Sequence, residues 1–325
     1  MRNSVRLLAS LALLTLIVSQ ANALTPQDMD ACFKGAPRAR LDGCRKIIDD
    51  KGASAAVRAS AHHRRGMTRE EMGDAIGAIE DYDTAITTDP RLAAAFNSRG
   101  SIYLELYEPD RAIADFSEAI RLDPSLVTAY VKRGESFAAI REQERALADF
   151  DAAIRLDPGF TNAYWHRGRS LESAKETERA IADYSTLIRI APDDPRGYFG
   201  RANVHLKRNN YKQALADSNA ALRVDPNNVG AYDLRGEVHR AEGRLDDAIA
   251  DYSEAIRRNP GFAHAFHERG VAYRMKGDRE RAIADFQAVL QILPIEESRE
   301  ELRALGAAES APAKPAGPSV LDLLK

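Results

Sequence analysis

The sequence lacks three motifs that mark large classes of enzymes, and it lacks long runs of like charge. It contains no G-x-x-x-x-G-K-[ST] phosphate loop, no G-x-S-x-G nucleophile elbow and no H-E-x-x-H metal-binding helix. Its 46 basic and 49 acidic residues are dispersed, without the block of like charge that is typical of a nucleic-acid-binding tail. We therefore expect no catalytic activity, no cofactor and no nucleic-acid partner.

One apolar run, Leu7–Val18, stands near the N-terminus. Arg2 and Arg6 precede it and Ala21-Asn22-Ala23 follows it, which is the pattern of a secretory signal peptide with a small-x-small cleavage site. The run is short for a membrane span of about 20 residues. We predict a signal peptide over residues 1–23 and a protein of the Gram-negative periplasm, related to the membrane only through export. An inner-membrane anchor formed by an uncleaved N-terminus is the alternative.

Cysteine is scarce, since Cys32 and Cys44 are the only two. In an exported chain such a pair favours one disulfide over two buried thiols. Leu41, Cys44 and Ile47 also have helical spacing, so we predict a helical capping hairpin over residues 24–58, joined by a Cys32–Cys44 bond. A loop this short contributes about 3 kcal/mol to stability in the chain-entropy account of disulfides.

The chain is rich in one repeated segment. It reads R-A-I-A-D-F-S-E-A-I-R-L-D-P at Arg111–Pro124 and recurs, with changes, every 34 residues. Its apolar residues have helical spacing, and so do those of the preceding stretch, which includes Phe96, Gly100 and Tyr103. Each unit therefore reads as a helix pair closed by a proline. The closing prolines are Pro90, Pro124, Pro158, Pro192, Pro226, Pro260 and Pro294.

The unit resembles the tetratricopeptide repeat (TPR) family in its order of aromatic, small, aromatic, alanine, aromatic, alanine and proline residues. One copy of that order is Tyr130, Gly134, Phe137, Ala146, Phe150, Ala153 and Pro158. The resemblance covers seven units in residues 59–294. It implies an all-α fold, a right-handed superhelical solenoid of stacked antiparallel helix pairs. We predict a polar capping helix at 295–305 and a disordered Ala/Pro-rich tail at 306–325.

Two further regularities run through the units. Most first helices carry a glycine, which costs about 1 kcal/mol relative to alanine inside a helix and therefore indicates close helix contact; Ala202 is the exception. An arginine precedes each small residue, and an aspartate follows that arginine after 16 residues. We predict seven ion pairs that join the helices of each unit, with a ligand-binding ladder as the alternative. The arginines are Arg65, Arg99, Arg133, Arg167, Arg201, Arg235 and Arg269.

The resemblance implies that first helices line a concave groove for an extended peptide or a partner helix. Trp165 and Phe199 are equivalent in adjacent repeats, and nearby arginines give the composition of a binding hot spot for a carboxylate-bearing or acidic segment. Packing within the array is the other interpretation of Trp165. The groove candidates are Asn162, Trp165, Arg169, Arg196, Phe199, Asn203 and Asp233.

Two specific sites are not expected. The carboxylate clamp of chaperone-binding TPR domains needs a lysine at a position that holds no lysine in any unit here. His264 and His267 share a helix face, but two ligands are too few to predict a metal site. The predicted function is an exported protein-interaction scaffold. The alternatives are a non-catalytic accessory subunit of an envelope enzyme or assembly complex, and a self-assembling structural array.

Overall fold

The computed structural model describes residues 24–308, which form 17 α-helices and no β-strand. The predicted signal peptide and residues 309–325 of the predicted tail lie outside the described residues. No helix within 24–308 is both long and apolar enough to span a bilayer. The helices are α1 (Pro26–Lys34), α2 (Pro37–Asp49), α3 (Ala55–Glu71), α4 (Ala75–Thr88), α5 (Ala93–Glu105), α6 (Pro109–Leu122), α7 (Val127–Ala139), α8 (Gln143–Leu156), α9 (Thr161–Ser173), α10 (Thr177–Ile190), α11 (Pro195–Lys207), α12 (Tyr211–Val224), α13 (Val229–Ala241), α14 (Leu245–Arg258), α15 (Ala263–Met275), α16 (Arg279–Ile292) and α17 (Glu296–Ala304).

The chain divides into two compact units, Met1–Ala163 and Tyr164–Lys325. In each, helices that follow one another pack together, first within a repeat, as α7 with α8 or α13 with α14, and then between repeats. Each second helix ends just before a repeat proline: α6 ends at Leu122, and Asp123 is already extended (φ −134°) ahead of Pro124. The architecture is the all-α solenoid of repeated helix pairs that the sequence predicts.

The turn inside each repeat places one residue in the left-handed region of backbone space. Gly73, Gly243 and Gly277 fill this position in three repeats, as their sequence indicates. In the other four the position holds a residue with a side chain, which costs roughly 1–2 kcal/mol for each residue other than asparagine. The helices that the turn connects impose this conformation. These residues are Tyr107 (φ 59°), Arg141 (64°), Lys175 (62°) and Asn209 (58°).

The recurring glycine lies against the aromatic ring of the second helix in the same repeat. A Cβ on Gly134 would lie 2.6 Å from Cε1 of Phe150, too close for any side chain without movement of the ring. In the fifth repeat Ala202 takes the glycine position, and the residue that corresponds to Phe150 is Ser218, which has no ring. The extra methyl group and the missing ring therefore offset each other, and close helix contact is kept throughout.

All seven predicted arginine–aspartate pairs are present, and each is a two-pronged contact. In the third repeat Arg133 donates from Nε to Asp149 Oδ2 and from Nη2 to Asp149 Oδ1, both at 2.8 Å. The pairing was predicted correctly, and the ladder is part of the scaffold because the aspartates are buried. The other pairs are Arg65–Asp81, Arg99–Asp115, Arg167–Asp183, Arg201–Asp217, Arg235–Asp251 and Arg269–Asp285.

The third guanidinium nitrogen reaches the preceding repeat, which the sequence did not indicate. Arg133 Nη1 donates to Ser117 Oγ at 3.1 Å, 16 residues earlier, on α6. Each such arginine therefore joins three helices. These are the first helix that carries it, the second helix of the same repeat and the second helix of the preceding repeat. The same backward contact joins Arg99 to Asp83, Arg201 to Ser185, Arg235 to Asn219 and Arg269 to Ser253.

The helix pair α1–α2 covers the start of the first repeat. Cys32 and Cys44 are bonded to each other and fully buried, in a cluster with Ile47 of α2 and Ala61 of α3. At the other end of the described residues, Leu302 of α17 is buried against Phe286 of α16. The pair α1–α2 and the helix α17 therefore each place apolar side chains over a repeat that has no neighbouring repeat on that side. Stacked repeats need such a cover for stability.

Candidate functional site

Successive first helices of the second compact unit are linked by polar side chains about 31 residues apart. Asn203 Nδ2 on α11 donates to Glu172 Oε1 on α9 at 2.6 Å. His264 Nδ1 on α15 lies 2.9 Å from Asp233 Oδ2 on α13. We call the face that these helices share the first-helix row, defined by α9 from Tyr164 onward, α11, α13 and α15. Asn162, the first predicted groove residue, belongs to the other compact unit and is half-buried at the start of α9.

Trp165 is half-buried at the α9 end of the first-helix row, with charged and aromatic neighbours. The guanidinium of Arg169 lies 5.8 Å from the centre of the indole ring, and that of Arg196 lies 6.0 Å away. Tyr184 supports the indole from α10, with ring centroids 5.8 Å apart. Both distances place a cation within reach of the ring face. The structure therefore brings together the tryptophan and the two arginines that the sequence had singled out.

The two arginines differ in how much of their charge is already compensated. Arg196 donates to Asp194 from Nε at 3.0 Å and from Nη2 at 2.6 Å. Burial alone would raise the pKa of Asp194, but these hydrogen bonds outweigh it and the pKa is lowered. Arg169 is exposed, and among the described residues it has no acidic partner within ion-pair distance. Arg169 is therefore the arginine of this pair that can receive an incoming carboxylate.

Phe199 and Asn203 have structural partners of their own. The ring of Phe199 packs beside Ala202 and Leu234 and covers Gly230, whose added Cβ would lie 3.1 Å from it. Phe199 therefore joins α11 to α13. Asn203 is held by Glu172, which accepts Lys207 Nζ at 2.5 Å as well.

Glu172 is a residue that sequence reasoning missed. Its Oε2 also accepts the hydroxyl of Tyr184 at 3.3 Å, and the pKa of Tyr184 is raised by burial first and by this carboxylate second. The signal that could have revealed Glu172 is its spacing of 31 residues from Asn203, the same spacing that joins Asp233 to His264.

Asp233 belongs to a second group of side chains. Asp233, Glu237 and His264 each offer a ligand atom, and these atoms lie within 4.8 Å of one another. The hydrogen bond to Asp233 raises the pKa of His264 to about 9, while burial, followed by the charge of Asp233, raises the pKa of Glu237 to about 6. Sequence reasoning compared His264 with His267, but His267 Nδ1 lies 2.8 Å from Ser298 Oγ instead.

His63 occupies the position of Trp165 in the first repeat and gives an acid-dependent prediction. Its Nε2 lies 3.0 Å from Ser98 Oγ, and burial, followed by the charge of Arg64, lowers its pKa to about 4. The folded state therefore resists a proton that the unfolded chain accepts near pH 6.5. Between pH 6.5 and 4 we expect stability to fall by about 3 kcal/mol from this residue.

The measurement is urea unfolding of wild type and His63→Gln at several pH values between 4 and 7. The variant is expected to lose less stability over this window, because glutamine does not titrate. Burial is also the first cause of the lowered pKa of His205, so His205→Gln serves as a comparison that should change the pH profile in the same direction. Identical pH profiles for wild type and His63→Gln would contradict the prediction.

Comparison with known proteins identifies the family to which the repeats belong. The tetratricopeptide repeat pattern matches residues 63–127, 131–195, 199–261 and 234–294, which is most of the chain. The chain belongs to the tetratricopeptide repeat family. TPR repeats form protein-interaction scaffolds, and TPR proteins are generally non-catalytic. No curated protein matches the sequence.

Solved TPR structures share the fold. A tetratricopeptide repeat protein from Parabacteroides merdae is 20% identical over 76% of this chain and 98% of its own, with a TM-score of 0.62. PilF of Pseudomonas aeruginosa is 18% identical over 65% of this chain and 96% of its own, with a TM-score of 0.57. Yeast Tom70 is 17% identical over 84% of this chain and 60% of its own, with a TM-score of 0.56. At these identities the likeness concerns the fold.

Proposed function

We propose that this TPR protein binds a peptide or a segment of a partner protein on the first-helix row, with the acidic or carboxylate-bearing part of that segment at Arg169. The observation that carries the proposal is an exposed arginine without an acidic partner in the described chain, placed over a half-buried tryptophan. An arginine fork binds a carboxylate through two parallel hydrogen bonds, and the indole offers apolar area beside it.

The surroundings of Trp165 support binding without rearrangement. Tyr184 supports the indole, and Glu172 holds Asn203 and Lys207 on the next helix. Side chains that are already fixed lose little conformational entropy when a ligand arrives, so more of the contact energy appears as affinity. Arg196 contributes through its stem and its contact with Trp165, since Asp194 occupies its fork.

Trp165 is the only tryptophan, so its fluorescence reports directly on this surface. We expect acidic peptides, or peptides that end in a free carboxylate, to change the emission of wild type in a saturable way. Arg169→Gln is expected to weaken binding at least about tenfold, because a hydrogen bond to a charged group contributes roughly 1.5–3 kcal/mol. Amidated, neutral versions of the same peptides should bind less.

Arg223→Gln is the matched control, because Arg223 is an exposed arginine on the second helix α12, away from the first-helix row. Equal loss of binding in both variants would show a general charge effect and would defeat the assignment to Arg169. Sedimentation of the same samples separates the alternatives. Self-association that Arg169→Gln abolishes would indicate a structural array, and binding only to a multi-subunit complex would indicate an accessory subunit.

We further propose that the protein is exported to the periplasm of a Gram-negative bacterium, with residues 1–23 removed. The charged, apolar and small-residue segments at the N-terminus support this, and the buried Cys32–Cys44 bond suits an oxidising compartment. Mass spectrometry of the protein from an envelope fraction should find a chain that begins near Leu24 and has no free thiol after denaturation without reductant. An intact N-terminus would favour the anchored alternative, and two free thiols would contradict export.

A further inference from the structure

Asp233, Glu237 and His264 form a group that bridges adjacent repeats. The first two residues lie one helical turn apart on α13, and His264 comes from α15, the first helix of the next repeat. One ligand atom from each lies within 4.8 Å of the other two. His264 Nδ1 and Asp233 Oδ2 are 2.9 Å apart, a separation compatible with two ligands of one small cation.

Asp233 supplies an independent reason to expect a ligand. The residue is only 7% exposed, and Oδ2 is the oxygen that contacts His264. Its other oxygen, Oδ1, is buried and has no hydrogen-bond partner among the described residues. A buried carboxylate oxygen without a partner is costly, because it has lost its hydration and gained nothing in return. A cation held by the Asp233 carboxylate would compensate this oxygen.

The donor set narrows the kind of cation. One imidazole nitrogen and two carboxylates suit zinc and similar first-row metals, whereas magnesium and calcium prefer oxygen ligands throughout. We propose that Asp233, Glu237 and His264 bind a divalent transition-metal ion such as Zn²⁺. Three protein ligands leave one position of a tetrahedral zinc site open to water or to a group of a bound partner.

The surroundings permit the small closure that binding requires. Zinc bonds of about 2.0–2.2 Å bring ligand atoms closer together than the observed 4.8 Å limit. The side chain of His264 is 49% exposed and can move toward α13. Arg240 on α13 also acts on Glu237, and its Nε lies 3.0 Å from Glu268 Oε2, so part of its charge is compensated by that carboxylate.

The test uses full-length protein without a histidine tag, freed of metal with a chelator. Titration with Co²⁺ followed by visible absorption, and with Zn²⁺ by calorimetry, should show saturable binding at one site. His264→Asn and Glu237→Gln are each expected to weaken binding at least tenfold. Zinc should raise the melting temperature of wild type and leave that of the variants unchanged.

His267→Asn is the matched control, because it removes a histidine from the same helix whose partner is Ser298. Circular dichroism checks that each variant keeps its helices, and two separate ligand variants guard against one that fails to fold. Absence of binding in wild type, or binding that both ligand variants retain, would overturn the proposal. Loss of metal binding with unchanged peptide binding would separate this site from the surface around Trp165.

Discussion

Replacing Asp149 with alanine is expected to lower the free energy of unfolding by about 3–5 kcal/mol, because it leaves a partly buried charge without its partner. Arg133 would lose two hydrogen bonds of 2.8 Å and keep only the one to Ser117. Its side chain is 20% exposed, so water cannot fully replace the carboxylate. Urea unfolding followed by circular dichroism measures the change.

Two controls distinguish the buried Arg133–Asp149 ion pair from an ordinary surface ion pair. Ser117→Ala removes only the backward hydrogen bond and should cost about 1–2 kcal/mol. Glu142→Ala removes the exposed pair with Arg145 and should change stability by less than about 1 kcal/mol. If Asp149→Ala unfolds at the same urea concentration as wild type, the arginine–aspartate pair does not support the array.

Replacing Tyr184 with alanine is expected to cost about 3–5 kcal/mol, the range for removal of a large buried ring. Tyr184 is fully buried, and glycines approach it from two first helices. A Cβ on Gly168 would lie 2.7 Å from its ring, and a Cβ on Gly200 would lie 2.6 Å from it. Without the ring, α9 and α11 face a cavity that two glycines cannot fill.

Tyr184→Phe is the matched control, since it keeps the ring and removes only the 3.3 Å hydrogen bond to Glu172. This variant should lose about 1 kcal/mol or less. Because Trp165 lies against Tyr184, tryptophan emission should shift to longer wavelength in Tyr184→Ala and stay in place in Tyr184→Phe. An alanine variant as stable as the phenylalanine variant would show that the ring is not a packing centre.

The repeating parts of the fold could be predicted because one physical solution recurs. Proline stops each second helix, glycine lies where an aromatic ring approaches, and the Arg133–Asp149 spacing returns in every unit. Even the apparent exception at Ala202 and Ser218 is readable, since loss of the ring permits the methyl group. Seven copies of one pattern gave enough repetition to separate packing from chance.

The rest depends on contacts between repeats at positions where the residue type varies. The backward partner of the arginine is Asp83 in one repeat and Asn219 or a serine in others, so no recurring letter marks it. The left-handed turn is hidden where Tyr107 replaces glycine. In the candidate site, the sequence placed Trp165 beside its arginines but could not show that the guanidinium of Arg196 already donates to Asp194. It also could not show that Asp233 meets His264.

The backward hydrogen bond of the arginines has a consequence for how the molecule comes apart. Within each compact unit, a repeat cannot detach from its neighbour until the guanidinium that spans them releases both a carboxylate and a side chain of the preceding helix. Removal of a terminal repeat from a compact unit therefore has to break this hydrogen bond as well as the apolar contacts between the helices. A protease or a pulling force that opens a unit from its end must break it again at each repeat that it removes.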